Sequence, residues 1–405
     1  MRRPVWAIIL IILASMFAAS CGGGSNPNAP IVSNLLKRAF VSNQFSGALD
    51  IVDAATDTVN SRRVILDPGP TAMSMSPDKK TVLVFTGGSN RLDVVSTAQE
   101  VQAGALQLQD KSESFFYLSD SKTVYVAVRN ASQVIKWDTG AGSTIGITVP
   151  NVRWIVRSNN SQYVLAFPDD NSDKAYFIDT TATTPVAVQI PVAFNRPVWA
   201  VFSSDDTKAY VMNCGPECGG TGSASVQTIN LPALTAAGPA QPVPGATHGL
   251  LTGTTLFVAG TPPATACVGN TNQPTCGSLS KLDVSAGLGA PTSYEINNGY
   301  HDHMLLGPNN RLFIGAEFTC TVTQPNGNGC LSIFNTGSNT ATIVAPCDSE
   351  CGGLNDVTGM SAITGRNVVY VVEGGELHIY DTATDALQAR QVDTVGRSWD
   401  VVSPD

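Results

Sequence analysis

The chain has 405 residues, 43% of them hydrophobic and only 14% charged, with 32 acidic side chains against 23 basic ones and a formal net charge of −9. Such a surface repels a polyphosphate backbone, so nucleic acid is not expected as a partner. The 37 glycines and 24 prolines, without sustained helical periodicity, argue against a helical bundle and for an all-β fold.

Residues 1–20 read as a secretory signal. Arg2 and Arg3 precede an apolar run from Val5 to Phe17, and Ala18, Ala19 and Ser20 lead directly to Cys21. The apolar run is about 13 residues, short of the ~20 that a membrane-spanning helix needs. The arrangement resembles bacterial lipoprotein precursors, and the resemblance implies that Cys21 becomes a lipidated N-terminus anchored in a membrane of the cell envelope, facing periplasm or exterior. Gly22 stands where an aspartate retention signal would be, which by the same resemblance points to the outer membrane of a Gram-negative envelope. Residues 21–34, rich in Gly, Ser, Asn and Pro, form a flexible tether. Without the signal the net charge falls to about −11.

Residues 35–405 are expected to form one domain from a repeat of about 40–55 residues. The first unit reads Arg38 to Asn43, Ala48 to Asp53 with an Ala-Ala-Thr-Asp turn, and Val64 to Leu66; then Pro70 to Met75 runs into Ser76-Pro77-Asp78, and Lys80 to Val84 starts the cycle again. Each apolar segment is short, β-branched and bounded by turn residues. This order of strands and turns resembles the YVTN family of β-propeller repeats, and the resemblance implies four-stranded blades around a central channel.

Second strands centre on Phe40, Leu83, Tyr125, Val164, Tyr210, Phe257, Phe313 and Tyr370, and inner strands begin near Ala72, Phe115, Trp154, Trp199, His248, His303, Met360 and Trp399. The expected fold is therefore an eight-bladed propeller, with seven blades as the alternative because the units around residues 163–167 and 254–260 are the weakest. Eight requires the C-terminal segment 398–405 to supply the inner strand of the first blade, so that no strand edge is left open.

Eight cysteines besides Cys21 fall in close pairs, Cys214 with Cys218, Cys267 with Cys276, Cys320 with Cys330 and Cys347 with Cys351. In an exported chain these are expected to form local disulfides, with zinc held by two C-x-x-x-C pairs as the alternative. The strand order puts all four pairs on one face, in long loops of blades five to eight, where they either brace a rim for a ligand or protect exposed loops.

His248, His301 and His303 lie at the starts of the inner strands of blades six and seven, at the same face. Neutral imidazoles there can bind a divalent metal, with Asp302 orienting or ligating, or can pack between blades. Trp154, Trp199 and Trp399 share their column and serve either as core or as a platform for a planar ligand. Arg153, Arg196 and Arg397 precede these tryptophans and either receive an anionic ligand or cap loop carbonyls.

Asp169-x-Asn171-x-Asp173 fails as a calcium loop, because Lys174 replaces the required glycine and Thr180 the bidentate acid. Gly140-Ala141-Gly142 opens no helix and is no phosphate loop. The leading expectation is an envelope propeller that binds a small molecule or protein on its loop face, with no cofactor and no chemistry. The alternative is a metal- or cofactor-dependent hydrolytic, lactonase-like, or redox enzyme acting at the channel mouth, without an identifiable catalytic residue.

Overall fold

The computed structural model describes residues 32–169, 172–263, 277–317, 329–344, 355–388, 392–394 and 396–405. Ser33–Asp405 is one compact unit and carries the architecture below; Met1–Val32, with the expected signal and Cys21, is a second unit that lies outside the described residues but for Val32.

The described residues form eight antiparallel sheets, the blades of a propeller. From the axis outward each blade has an inner, a second, a third and an outer strand. Blade two, for example, is Pro70–Met75, Thr81–Thr86, Arg91–Ser96 and Val101–Gln107. Its second strand is buried at every position after the first, while its outer strand is largely exposed. The reason is that middle strands are covered on both faces by neighbouring blades, so their sequences are continuous apolar runs such as Thr-Val-Tyr-Val-Ala-Val at Thr123–Val128. The core consequently lies in lobes between blades, one of which joins Leu83 and Phe85 of blade two to Tyr117 and Val126 of blade three.

Both units that look weak in sequence are complete. Tyr163–Pro168 pairs with Val152–Arg157 and Tyr176–Asp179 in blade four, and Thr255–Gly260 pairs with His248–Thr252 and Gly277–Asp283 in blade six. Eight blades, not seven, make the ring.

Ser398–Val402 closes it. This strand pairs antiparallel with Arg38–Asn43, through Phe40 with Val402, Val41 with Val401 and Asn43 with Ser398. Beside it the Arg38 guanidinium donates to Asp405 at 2.8 and 3.0 Å and to the Thr97 carbonyl at 2.6 Å, and its Nη1 lies 3.2 Å from buried Glu100. Ala39 and Val41 of blade one and Tyr370 and Val372 of blade eight share a core lobe, so the seam is packed as well as paired.

On the face where inner strands end, the turns of blades two to five are tied each to the next. Ser121 Oγ accepts from the Asp78 N–H at 3.0 Å, Ser161 Oγ from the Ser119 N–H at 3.0 Å, and Asp206 from the Asn159 and Asn160 N–H groups at 2.9 and 2.7 Å. Ser121, Ser161 and Asp206 all have positive φ (57°, 63° and 55°), the left-handed turn conformation that aims these short side chains at the neighbouring blade.

The opposite face is the one on which inner strands begin. Near that end six of the eight inner strands carry a β-bulge. The extra residue is Arg153 in blade four, Val198 in blade five, Asp302 in blade seven and Thr358 in blade eight.

Candidate functional site at the channel mouth

Antiparallel alternation brings the starts of the inner strands, the second-to-third-strand loops and the links between blades to this one face. Three rings from adjacent blades form a row across it. Trp154 meets Trp199 edge to face at 6.3 Å between centroids, and Trp199 stacks on His248 at 4.2 Å and 28°. Trp154 and Trp199 are half-buried; each rests one side on an inter-blade core lobe and leaves the other accessible. These two rings thus form the edge of the core at this face. Trp399 is likewise half-buried, under the Arg397 guanidinium at 5.6 Å.

The three arginines have separate surroundings. Arg153 lies over Trp154 at 5.0 Å and donates to Glu113 at 2.8 Å. Arg196, held at φ 57°, pairs with Asp173 at 3.4 Å and donates to the Gly219 carbonyl at 3.4 Å. The Arg397 Nε is buried and finds no hydrogen-bond partner among the described residues.

A cavity of about 250 Å³ opens between Arg153, Trp154, Asp169, Arg196, Glu217 and Tyr300. Glu217 sits in the turn Gly215–Cys218, which the Cys214–Cys218 disulfide closes. Its Oε2 accepts the Thr261 N–H at 2.8 Å, yet burial pushes the carboxyl up to about 8. The folded protein therefore retains a proton that the unfolded chain releases above about pH 4.5. Stability from this group is full below that value and is lost as pH rises through 8. Glu217→Gln is expected to flatten this decline, gaining about 1–3 kcal/mol over wild type at pH 9 and little at pH 4.5; parallel urea melts that keep the same pH slope in both proteins would refute it.

Cys330 is also disulfide-bonded, whereas Cys267, Cys276, Cys320, Cys347 and Cys351 lie outside the described residues.

The histidines divide into two kinds. His301 is fully buried; its Nε2 lies 3.0 Å from the Asn297 carbonyl, which can only accept, so Nε2 carries the proton and Nδ1 has no partner among the described residues. Burial lowers His301 to about 4, and burial together with His303 and His301 lowers His248 to about 3, so both are neutral at physiological pH. His303 is different. Burial would depress it, but Asp302, whose Oδ1 lies 2.7 Å from Nδ1, together with Glu317 and Asp400, raises it to about 9.

Among the described residues, Asp302, His303 and Glu317 form the one group of three whose potential ligand atoms lie within 4.8 Å of one another. The expected set of His248, His301 and His303 thus contributes only His303 to it. Burial and Asp302 push the Glu317 carboxyl well above its ordinary range. Burial also raises Asp400 to about 7, although its Oδ2 accepts the Met73 N–H at 2.7 Å. Gly359 makes room for Asp400, since a Cβ there would stand 2.3 Å from Oδ1.

Glu217, Tyr300, Glu317 and Asp400 are members of the site that the strand inventory passes over. Two had a signal: Glu217 is enclosed by a cysteine pair, and Glu317 directly follows the apolar run Leu312 to Ala316 of a second strand.

No protein-family model and no curated protein matches the chain. Solved structures do. The dihydro-heme d1 dehydrogenase NirN, solved in complex with DHE, has a TM-score of 0.69 at 11% identity over 93% of this chain and 78% of NirN. AztD from Citrobacter koseri, solved in the apo form, has 0.58 at 11% identity over 91% and 97%. Hydrazine synthase of Kuenenia stuttgartiensis has 0.56 at 13% identity over 80% and 96%. At these identities the likeness is one of fold, and the fold shared is the propeller.

Proposed function

We propose that the protein is a lipid-anchored, extracytoplasmic propeller that binds a small planar ligand carrying an anionic group at its channel mouth, without chemistry of its own. The row of Trp154, Trp199 and His248 beside a cavity edged by Arg153 and Arg196 carries this reading. Aromatic faces stack on planar ligands in a sequence-tolerant way, and guanidinium groups on the rim recognise carboxylate, sulfonate or phosphate. NirN, a fold neighbour solved with DHE, supports the idea that a propeller of this kind accommodates an organic ligand. The strand order that resembles the YVTN repeats and the segment ending at Cys21 support the kinship and the address.

The test has two arms. Cells expressing the full chain are fractionated beside a Cys21→Ser variant, which is expected to leave the membrane fraction. The purified protein is titrated with anilinonaphthalene sulfonate, a planar aromatic anion, while energy transfer from tryptophan is followed. One site is expected, weakened about tenfold or more by Trp199→Ala. Membrane retention of the Cys21 variant would remove the anchor, and dye binding indifferent to Trp154→Ala and Trp199→Ala would remove the platform.

A second reading, metal- or cofactor-dependent hydrolytic or redox chemistry, is favoured by the displaced titrations of Glu317 and Asp400 in the channel. Turnover that disappears in Glu317→Gln would replace the binding reading with it.

A further inference from the structure

Two consecutive residues of a regular strand point to opposite faces, so an Asp-His dipeptide cannot ordinarily present both side chains to one point. Blade seven evades this restriction. His301 pairs with Ala316 and His303 with Gly315, and Asp302 is the extra residue of the bulge between them. Asp302 and His303 consequently meet, with Oδ1 2.7 Å from Nδ1. One step along the ladder, Tyr300 pairs with Glu317, which places a second carboxylate at the same end of the blade.

We propose that Asp302, His303 and Glu317 bind a divalent transition-metal ion of the zinc and cobalt class. Ligand atoms about 2.1 Å from one ion lie at most about 4.2 Å apart, and these three lie within 4.8 Å, so small side-chain rotations bring them to coordinating distance. One imidazole nitrogen with two carboxylate oxygens suits zinc, cobalt or manganese; the absence of thiolate and thioether donors from the triad disfavours monovalent copper. Three protein ligands leave a position open to water or to a ligand in the channel.

The acidic surroundings of the triad also favour a cation. Asp302, Glu317 and Asp400 all act on His303, so three carboxylates surround one imidazole. Glu317 accepts no hydrogen bond from any described residue, and Arg153, the guanidinium that acts on it, already pairs with Glu113 at 2.8 Å. Partly buried carboxylates without donors are costly, and a dication offsets that cost. Gly315, opposite His303, lets Val357 pack against the strand there; a Cβ would come 2.5 Å from Val357 and 3.3 Å from the His303 Cβ, so a larger residue would displace the imidazole's neighbours. The site uses none of the rings of the Trp154 row, so it stands whether or not a planar ligand binds there.

The full chain, stripped with a chelator, is titrated with cobalt(II) chloride and read by visible absorption and bound-metal analysis. One cobalt per chain is expected, with ligand-field bands that added zinc displaces. Glu317→Gln and Asp302→Asn are expected to weaken binding about tenfold or more, and His303→Ala to abolish the bands, while Lys80→Ala, in an exposed turn, leaves the titration unchanged. Glu317→Gln preserves side-chain shape, so it decides the matter if His303→Ala fails to fold. No cobalt absorption in the wild type, or bands and affinity unaltered in Glu317→Gln, would overturn the site.

Discussion

Deletion of residues 398–405 is expected to lower the melting temperature by about 10 °C or more, because it removes an inner strand from a blade that the rest of the chain cannot complete. Val401 is buried, and Trp399 and Val402 are half-buried; at about 1.5–3 kcal/mol for each well-buried apolar side chain they contribute roughly 5 kcal/mol. The deletion also strips Asp405 from Arg38, which keeps only Glu100 and the Thr97 carbonyl, and leaves the ladder edge of Phe40, Val41 and Asn43 unpaired. At about 2 °C per kcal/mol for a chain of this size the loss reaches the stated range. Calorimetry that gave the truncated protein a wild-type transition would show that the ring does not depend on this strand.

The second large effect is expected from Asp57→Asn. Asp57, in the third-to-outer turn of blade one, receives hydrogen bonds from the Arg366 guanidinium, including Nη2 at 2.9 Å, and from the Tyr370 hydroxyl, both of blade eight. Arg366 also donates to the Ala54 carbonyl at 2.6 Å. Asparagine tolerates the φ of 57° at this position, so the substitution isolates charge from backbone strain. An uncompensated guanidinium, only 22% exposed, is expected to cost about 2–4 kcal/mol. Adding Arg366→Met should restore most of that. Urea melts in which the single variant falls within about 0.5 kcal/mol of wild type would show the seam to be indifferent to this pair.

The ring was legible because its determinants are local and repeated. An apolar second strand such as Thr123–Val128 and a turn such as Ser76-Pro77-Asp78 declare themselves in a few residues, since sandwiched strands need continuous apolar runs and tight turns need serine and aspartate; the Ser76 hydroxyl does accept the Thr81 N–H at 3.0 Å. The tail 398–405 was legible by the same pattern. The site was less so, for a physical reason. Placing His301 and His303 together assumes strict alternation, and the bulge at Asp302 breaks it, leaving His301 bonded to Asn297 and joining His303 to two carboxylates instead. A bulge of one residue has no apolar period to reveal it. Asp400 illustrates the other obstacle, a contact with Met73 across 327 residues that only the closed ring creates.

The recurrent bulge has a consequence for how such a protein can diversify. In a regular ladder, a residue facing the channel is in phase with those that hold the blade together, and changing it disturbs its partner across the strands. An inserted residue has no partner, so its identity is nearly free. Arg153, Val198, Asp302 and Thr358 occupy equivalent insertions yet differ in charge, size and polarity. The mouth is thereby divided into slots, one for each bulged blade, that selection or a designer can rewrite separately, giving one scaffold a combinatorial vocabulary of ligands.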